Sequence, residues 1–108
     1  MELEEKIAEI LARVDLSGFT ELVEGSHAKR YVVAFTHNGE WSLRLLACQV
    51  RFYAMFYDNV TLGWWKDQQG QVVVDIGTST DSLEEALTLK KLHNQQAIRD
   101  TLEHEEIF

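Results

Sequence analysis

The sequence predicts an α+β fold: an N-terminal helix, an antiparallel sheet of about four to six strands built from hairpins, and a C-terminal helix. Three observations carry this expectation. Apolar residues recur with helical spacing at the start of the chain. The middle is rich in β-branched and aromatic residues broken by short turn signals. A capped helix opens near Ser82. Runs of strands flanked by helices suit an α+β sheet better than alternating parallel units. A length of 108 residues is that of one domain, residues 1–108.

Leu3, Ile7, Ile10, Leu11 and Val14 recur at three- and four-residue spacing and predict an amphipathic helix from Leu3 to Val14. Glu2, Glu4 and Glu5 stand where the helix dipole favours negative charge, and Ser17-Gly18 stops the helix. Phe19 to Val23 reads as a short strand, Gly25-Ser26 as a turn, and Tyr31 to Phe35 as a stronger strand. Asn38-Gly39 is a hairpin signal, because both residues tolerate the positive φ a tight hairpin turn requires. Trp41 is therefore expected to open a returning strand.

Residues 41–57 carry two alternations of opposite parity: Trp41, Leu43, Leu45, then Cys48, Val50, Phe52, Ala54, Phe56. They predict strand with a bulge near Leu46-Ala47. The competing helical reading uses Leu43, Leu46, Ala47, Val50 and Ala54. Strand is preferred, because the Asn-Gly signal precedes it and aromatic residues fill its second half. Cys48 then reads as a small core residue. Val60 to Lys66 and Gln71 to Ile76 form a second hairpin around Asp67-Gln68-Gln69-Gly70.

Gly77-Thr78-Ser79-Thr80-Asp81 is expected to be a polar loop. Ser82 and Glu85 then form the S-x-x-E box that caps a helix. That helix is expected to run to about Glu103. Its weak point is His93-Asn94, because Asn readily takes a left-handed cap. The alternative ends it there and leaves a final strand between Gln96 and Thr101.

Charge is distributed unevenly. Residues 1–26 sum to −5, residues 27–80 to +1 and residues 81–108 to −4, for a net charge of −8. Such a field attracts basic partners and repels nucleic acid and anionic membranes. No apolar run reaches the ~20 residues of a membrane helix. The acidic opening Met1-Glu2-Leu3-Glu4-Glu5 is unlike a signal peptide, and the single Cys48 allows no internal disulfide, so the expected location is cytoplasmic.

No motif names a chemistry. His27, His37, His93 and His104 lack metal-ligand spacing, and no metal or other cofactor is expected. Alternation turns Asp75 away from Val72, Val74 and Ile76, toward solvent, so no catalytic residue is assigned and the protein is expected not to be an enzyme. Val72 to Thr80, with its Asp75-Ile76-Gly77-Thr78, resembles the phosphate-binding hairpin of the actin and sugar-kinase superfamily over nine residues. That superfamily needs two large lobes, which this length cannot supply. The preferred reading is a strand, a Gly turn and a helix cap. A weaker version keeps Gly77, Thr78, Ser79 and Thr80 as an anion-binding turn at a helix start.

Trp64-Trp65 carries more weight. Neighbouring strand residues point to opposite faces, so a sheet with one uncovered face exposes one of the pair. Trp is enriched in binding hot spots, and Tyr53 and Tyr57 share a strand parity that lets them join it. The expected function is non-enzymatic protein binding. The chain reads as an inhibitor or adaptor docking on a larger basic protein, similar to immunity proteins and phage-encoded nuclease inhibitors in size and charge alone. The candidate contacts are Trp64, Trp65, Tyr53 and Tyr57, with Glu4, Glu5, Glu9, Glu103, Glu105 and Glu106 supplying the field. Two alternatives stay open: a small-molecule or nucleotide site at Gly77–Ser82, and a homodimer formed through the sheet.

Overall fold

The computed structural model describes residues 3–12, 19–25, 29–95, 97–103 and 105–108. The expected α+β class holds. Helix α1 (Leu3–Ala12) opens the chain and buries Ile7 and Ile10. The expected stop at Ser17-Gly18, the last turn to Val14 and the turn residue Ser26 lie outside the described residues.

Among the described residues, six strands form one sheet: β1 (Phe19–Gly25), β2 (Tyr31–Asn38), β3 (Asn59–Lys66), β4 (Val72–Thr80), β5 (Ile98–Asp100) and β6 (Glu105–Ile107). Their order is β1-β3-β4-β2-β5-β6, and every neighbouring pair is antiparallel. Helix α2 (Leu43–Ala54) joins β2 to β3, and helix α3 (Leu83–Leu92) joins β4 to β5. Each helix connects two parallel strands separated by one antiparallel strand. This is the split β-α-β arrangement of ferredoxin-like sheets, extended here by β1 at one edge and β6 at the other.

Register sets the faces. Val33 lies level with Thr78, and Leu62 opposite Ile76, so Val33, Leu62, Val74, Ile76 and Ile98 share one side. That side meets the helices. Ile7, Ile10, Leu46, Ala47, Val50, Leu62, Trp64 and Ile76 pack together beneath α1 and α2. Tyr31, Val33, Ala86, Leu89 and Ile98 pack beneath α3. The other side bears Val32, His37, Asp75, Trp65 and Arg99, and no described helix covers it. At the β5 end, Asp100 accepts two hydrogen bonds from the Arg30 guanidinium, each at 2.9 Å. With the backbone N–H groups of Leu102 and Glu103, this holds the carboxyl at about 2.

Several local expectations are overturned. Residues 43–54 are helix, not strand. Asn38 and Gly39 both keep negative φ, so no hairpin turn forms there. The Asn38 amide instead donates to the Val74 carbonyl at 3.1 Å and to Gln49 Oε1 at 2.9 Å. Ser42 caps α2, its Oγ accepting from the Leu45 N–H at 3.1 Å. The helix buries Leu46, Ala47 and Val50 completely, the helical reading's own positions. Trp41 opens no strand; its indole N–H donates to the Val72 carbonyl at 3.2 Å. Cys48 is exposed, not a core residue.

The expected polar loop at Gly77–Thr80 is the end of β4. Its backbone pairs with Ala34, Val33, Val32 and Tyr31 of β2, which gives the polar side chains a sheet to belong to. The last helix stops at Leu92 rather than near Glu103. Asn94 takes φ of 54°, the left-handed conformation that ends helices, and β5 follows. Ser82 is the cap as expected, with Glu85 N–H donating to its Oγ at 3.2 Å. The return bond runs through a relay. Ser82 N–H donates to Thr80 Oγ1, and that hydroxyl donates to Glu85 Oε2.

Candidate protein-binding surface

Of the two adjacent tryptophans, Trp64 is buried and Trp65 is 43% exposed. Strand alternation separates them: Trp64 joins the helix-covered core, and Trp65 stands on the uncovered face. Trp65 is held in place. Its indole N–H donates to Asp75 Oδ2 at 3.1 Å, from the neighbouring strand β4. Asp75 Oδ1 lies 2.8 Å from His37 Nδ1 on β2, the strand on the other side. His37 Nε2 in turn meets Gln95 Oε1, in the segment that follows α3.

The protonation of this chain of groups follows from its partners. The Gln95 amide nitrogen donates to the His93 carbonyl at 3.1 Å, which turns Oε1 toward His37. Both ring nitrogens of His37 therefore face acceptors, and only the imidazolium can donate to both. Partial burial pulls the His37 pKa down, but the bond and charge of Asp75, with Gln95, outweigh it and leave the pKa above its ordinary value. Burial raises the Asp75 pKa, against the lowering pull of His37 and Trp65. The expectation that Asp75 turns away from the core holds, yet it is bonded on both sides and only partly exposed.

Tyr53 and Tyr57 do not join Trp65. They belong to α2 and the turn after it, on the helix side of the sheet. There Phe35 stacks on Tyr53 at 4.3 Å and meets Tyr57 at 4.8 Å and His93 at 4.4 Å. The Tyr57 hydroxyl lies 3.2 Å from His93 Nε2. This band ties the end of α2 to the end of α3.

Gly77, Thr78, Ser79 and Thr80 are not a turn, and the three hydroxyls are engaged internally. Thr78 Oγ1 donates to the Asn59 carbonyl at 2.8 Å, and Ser79 Oγ to Asn59 Oδ1 at 2.8 Å. Thr80 serves the Ser82–Glu85 relay. A side chain at Gly77 would overlap the Val33 carbonyl, so this position is glycine to let β2 approach.

The two acidic groups sit apart. Glu4, Glu5 and Glu9 are on α1, which packs beside β1 and α2. Glu103, Glu105 and Glu106 lie around β6 at the opposite sheet edge. Glu106 pairs in register with Arg99 on the uncovered face. Among the described residues no His, Cys, Asp and Glu group is arranged to hold a metal ion. No described helix is long and apolar enough to cross a membrane.

Sequence reading missed His37 and Gln95, which it placed in a turn and in a helix. It also missed the exposed Phe52, Met55 and Phe56. The outward parity of Asp75, next to a strand carrying Trp65, was the available signal for the first group. Comparison with known proteins finds no matching family, no matching curated protein and no matching solved structure.

Proposed function

We propose that this chain is a non-enzymatic protein-binding domain of the cytoplasm that docks on a larger basic protein as an inhibitor or adaptor. The observation that supports the reading is Trp65: a large exposed ring on the sheet face that no described helix covers, fixed by the Asp75–His37–Gln95 chain. A pre-positioned aromatic loses little freedom on binding and serves as a hot-spot anchor. Glu105 and Glu106 at the β6 edge, and the acids of α1 at the other, supply a field that speeds encounter with a basic surface.

The test uses two immobilised baits, the parent chain and Trp65→Ala, in a basic-protein-rich cell extract, with bound proteins quantified. The expected result is a basic protein retained by the parent and lost from Trp65→Ala. Equal retention on both baits removes the anchor and the reading with it.

A further inference from the structure

Helix α2 has a second apolar side. Leu46, Ala47 and Val50 face the core, while Leu45, Cys48 and Phe52 follow at helical spacing on the outside, and Met55 and Phe56, in the turn that ends the helix, continue the stripe. Leu45 is 41% exposed, Phe52 55%, Met55 77% and Phe56 65%. Phe52 and Phe56 touch, with ring centroids 5.3 Å apart, so the stripe is continuous. At about 200 Å² for a fully exposed large side chain, these four present about 500 Å² of surface, which is the size of a functional patch on a monomer.

Charge decides what fits there. α2 has no acidic residue, in a chain of net charge −8. Arg44 and Arg51 lie exposed beside the stripe, two turns apart, and neither has a carboxylate partner among the described residues. A second copy seated on the same face would set guanidiniums against guanidiniums, with no carboxylate on either α2 to meet them. An anionic membrane would repel the rest of the chain. An acidic amphipathic helix satisfies both features, with its apolar side on Phe52 and Phe56 and carboxylates two turns apart on Arg44 and Arg51. The protein's own α1, acidic and amphipathic, already packs on another side of α2.

We infer that the outer side of α2 is a docking site for an acidic amphipathic helix of another protein. This site lies on the opposite side of the sheet from Trp65, so both can be occupied together. The proposal does not depend on the Trp65 reading. An interface of this size belongs to the transient class.

Two 18-residue synthetic helices test it: one with Leu at the core positions and Glu beside them, the other with Lys in place of every Glu. Binding is measured on the full chain by fluorescence anisotropy. Protection of the Cys48 thiol from Ellman's reagent locates the contact, since Cys48 is the only cysteine and sits in the stripe. The acidic peptide is expected to bind and to protect Cys48, and the Lys peptide to do neither. Phe52→Ser with Phe56→Ser should weaken binding at least about tenfold, as loss of anchor residues does, without changing the circular dichroism. Arg44→Glu with Arg51→Glu should reverse the preference toward the Lys peptide. Equal binding of both peptides, or binding that leaves Cys48 reactive, overturns the proposal. So does a chain that ignores the acidic peptide but floats with phosphatidylglycerol vesicles, or one that only self-associates through Phe52 and Phe56.

Discussion

Asn59→Ala should be among the most damaging single substitutions in this protein, and its cost can be worked from the geometry. Continuing the β3–β4 register would set Asn59 opposite Ser79. The Asn59 side chain, an amide like the backbone itself, makes the bonds to Ser79 there. Nδ2 donates to the Ser79 carbonyl at 2.9 Å, and Oδ1 accepts from the Ser79 N–H at 2.9 Å and from its Oγ at 2.8 Å. Asn59 is 1% exposed, so water does not replace these bonds freely. Truncation strands two buried backbone groups at ~1–3 kcal/mol each, so a loss of about 3 kcal/mol is expected. For a domain of this size that lowers Tm by about 12 °C. Thermal and urea melts of parent and variant measure it. Asn59→Asp is the control: it keeps an acceptor, loses the donor and buries a charge, so its deficit should shrink at acidic pH. A loss below about 0.5 kcal/mol, the level of an ordinary surface change, would refute the claim that Asn59 completes the ladder.

Leu46→Ala should cost about 3–4 kcal/mol, as for a buried leucine, while Phe52→Ala should leave the urea midpoint almost unchanged; equal costs would mean α2 faces another way. Ser82→Ala should cost ~1 kcal/mol in urea melts through loss of the α3 cap. The His37–Asp75 pair sets a pH dependence. The folded-state pKa of His37 is raised, so its stabilising contribution is complete below about 6.5 and is lost as pH rises through the folded value. Urea midpoints measured from acidic to alkaline pH should fall across that window, and His37→Gln should remove the step.

Much of the fold was legible where local signals and burial agreed. α1 shows a clean stripe, the β3–β4 hairpin has its Gly70 at positive φ, and α3 opens on a true Ser82 cap. α2 was illegible for a physical reason. Its outer side carries Leu45 and Phe52, continued by Phe56 in the turn after it, where a surface helix ordinarily has polar residues, so the helical pattern blurs into alternation. Ser42 also lacks a Glu or Gln three residues on, so no capping box announces the start. Gly77–Thr80 has the composition of a loop. It is strand because Asn59 and Glu85, 18 residues before Gly77 and five after Thr80, satisfy its hydroxyls. Alternation put the two rings of Trp64-Trp65 on opposite faces; that one of them is exposed depended on a sheet face being left uncovered, which the sequence did not decide. The partners that orient it, His37 and Gln95, are joined by the path of the chain after α3, which no local pattern records.

The most direct test of the account is the kinetics of the captured basic partner on the parent chain and on Trp65→Ala, each at low and high salt. The account predicts that Trp65→Ala raises the dissociation rate at both salt concentrations, while high salt slows association of parent and variant alike. A dissociation rate unchanged by Trp65→Ala, with an association rate indifferent to salt, would contradict both the anchor and the field.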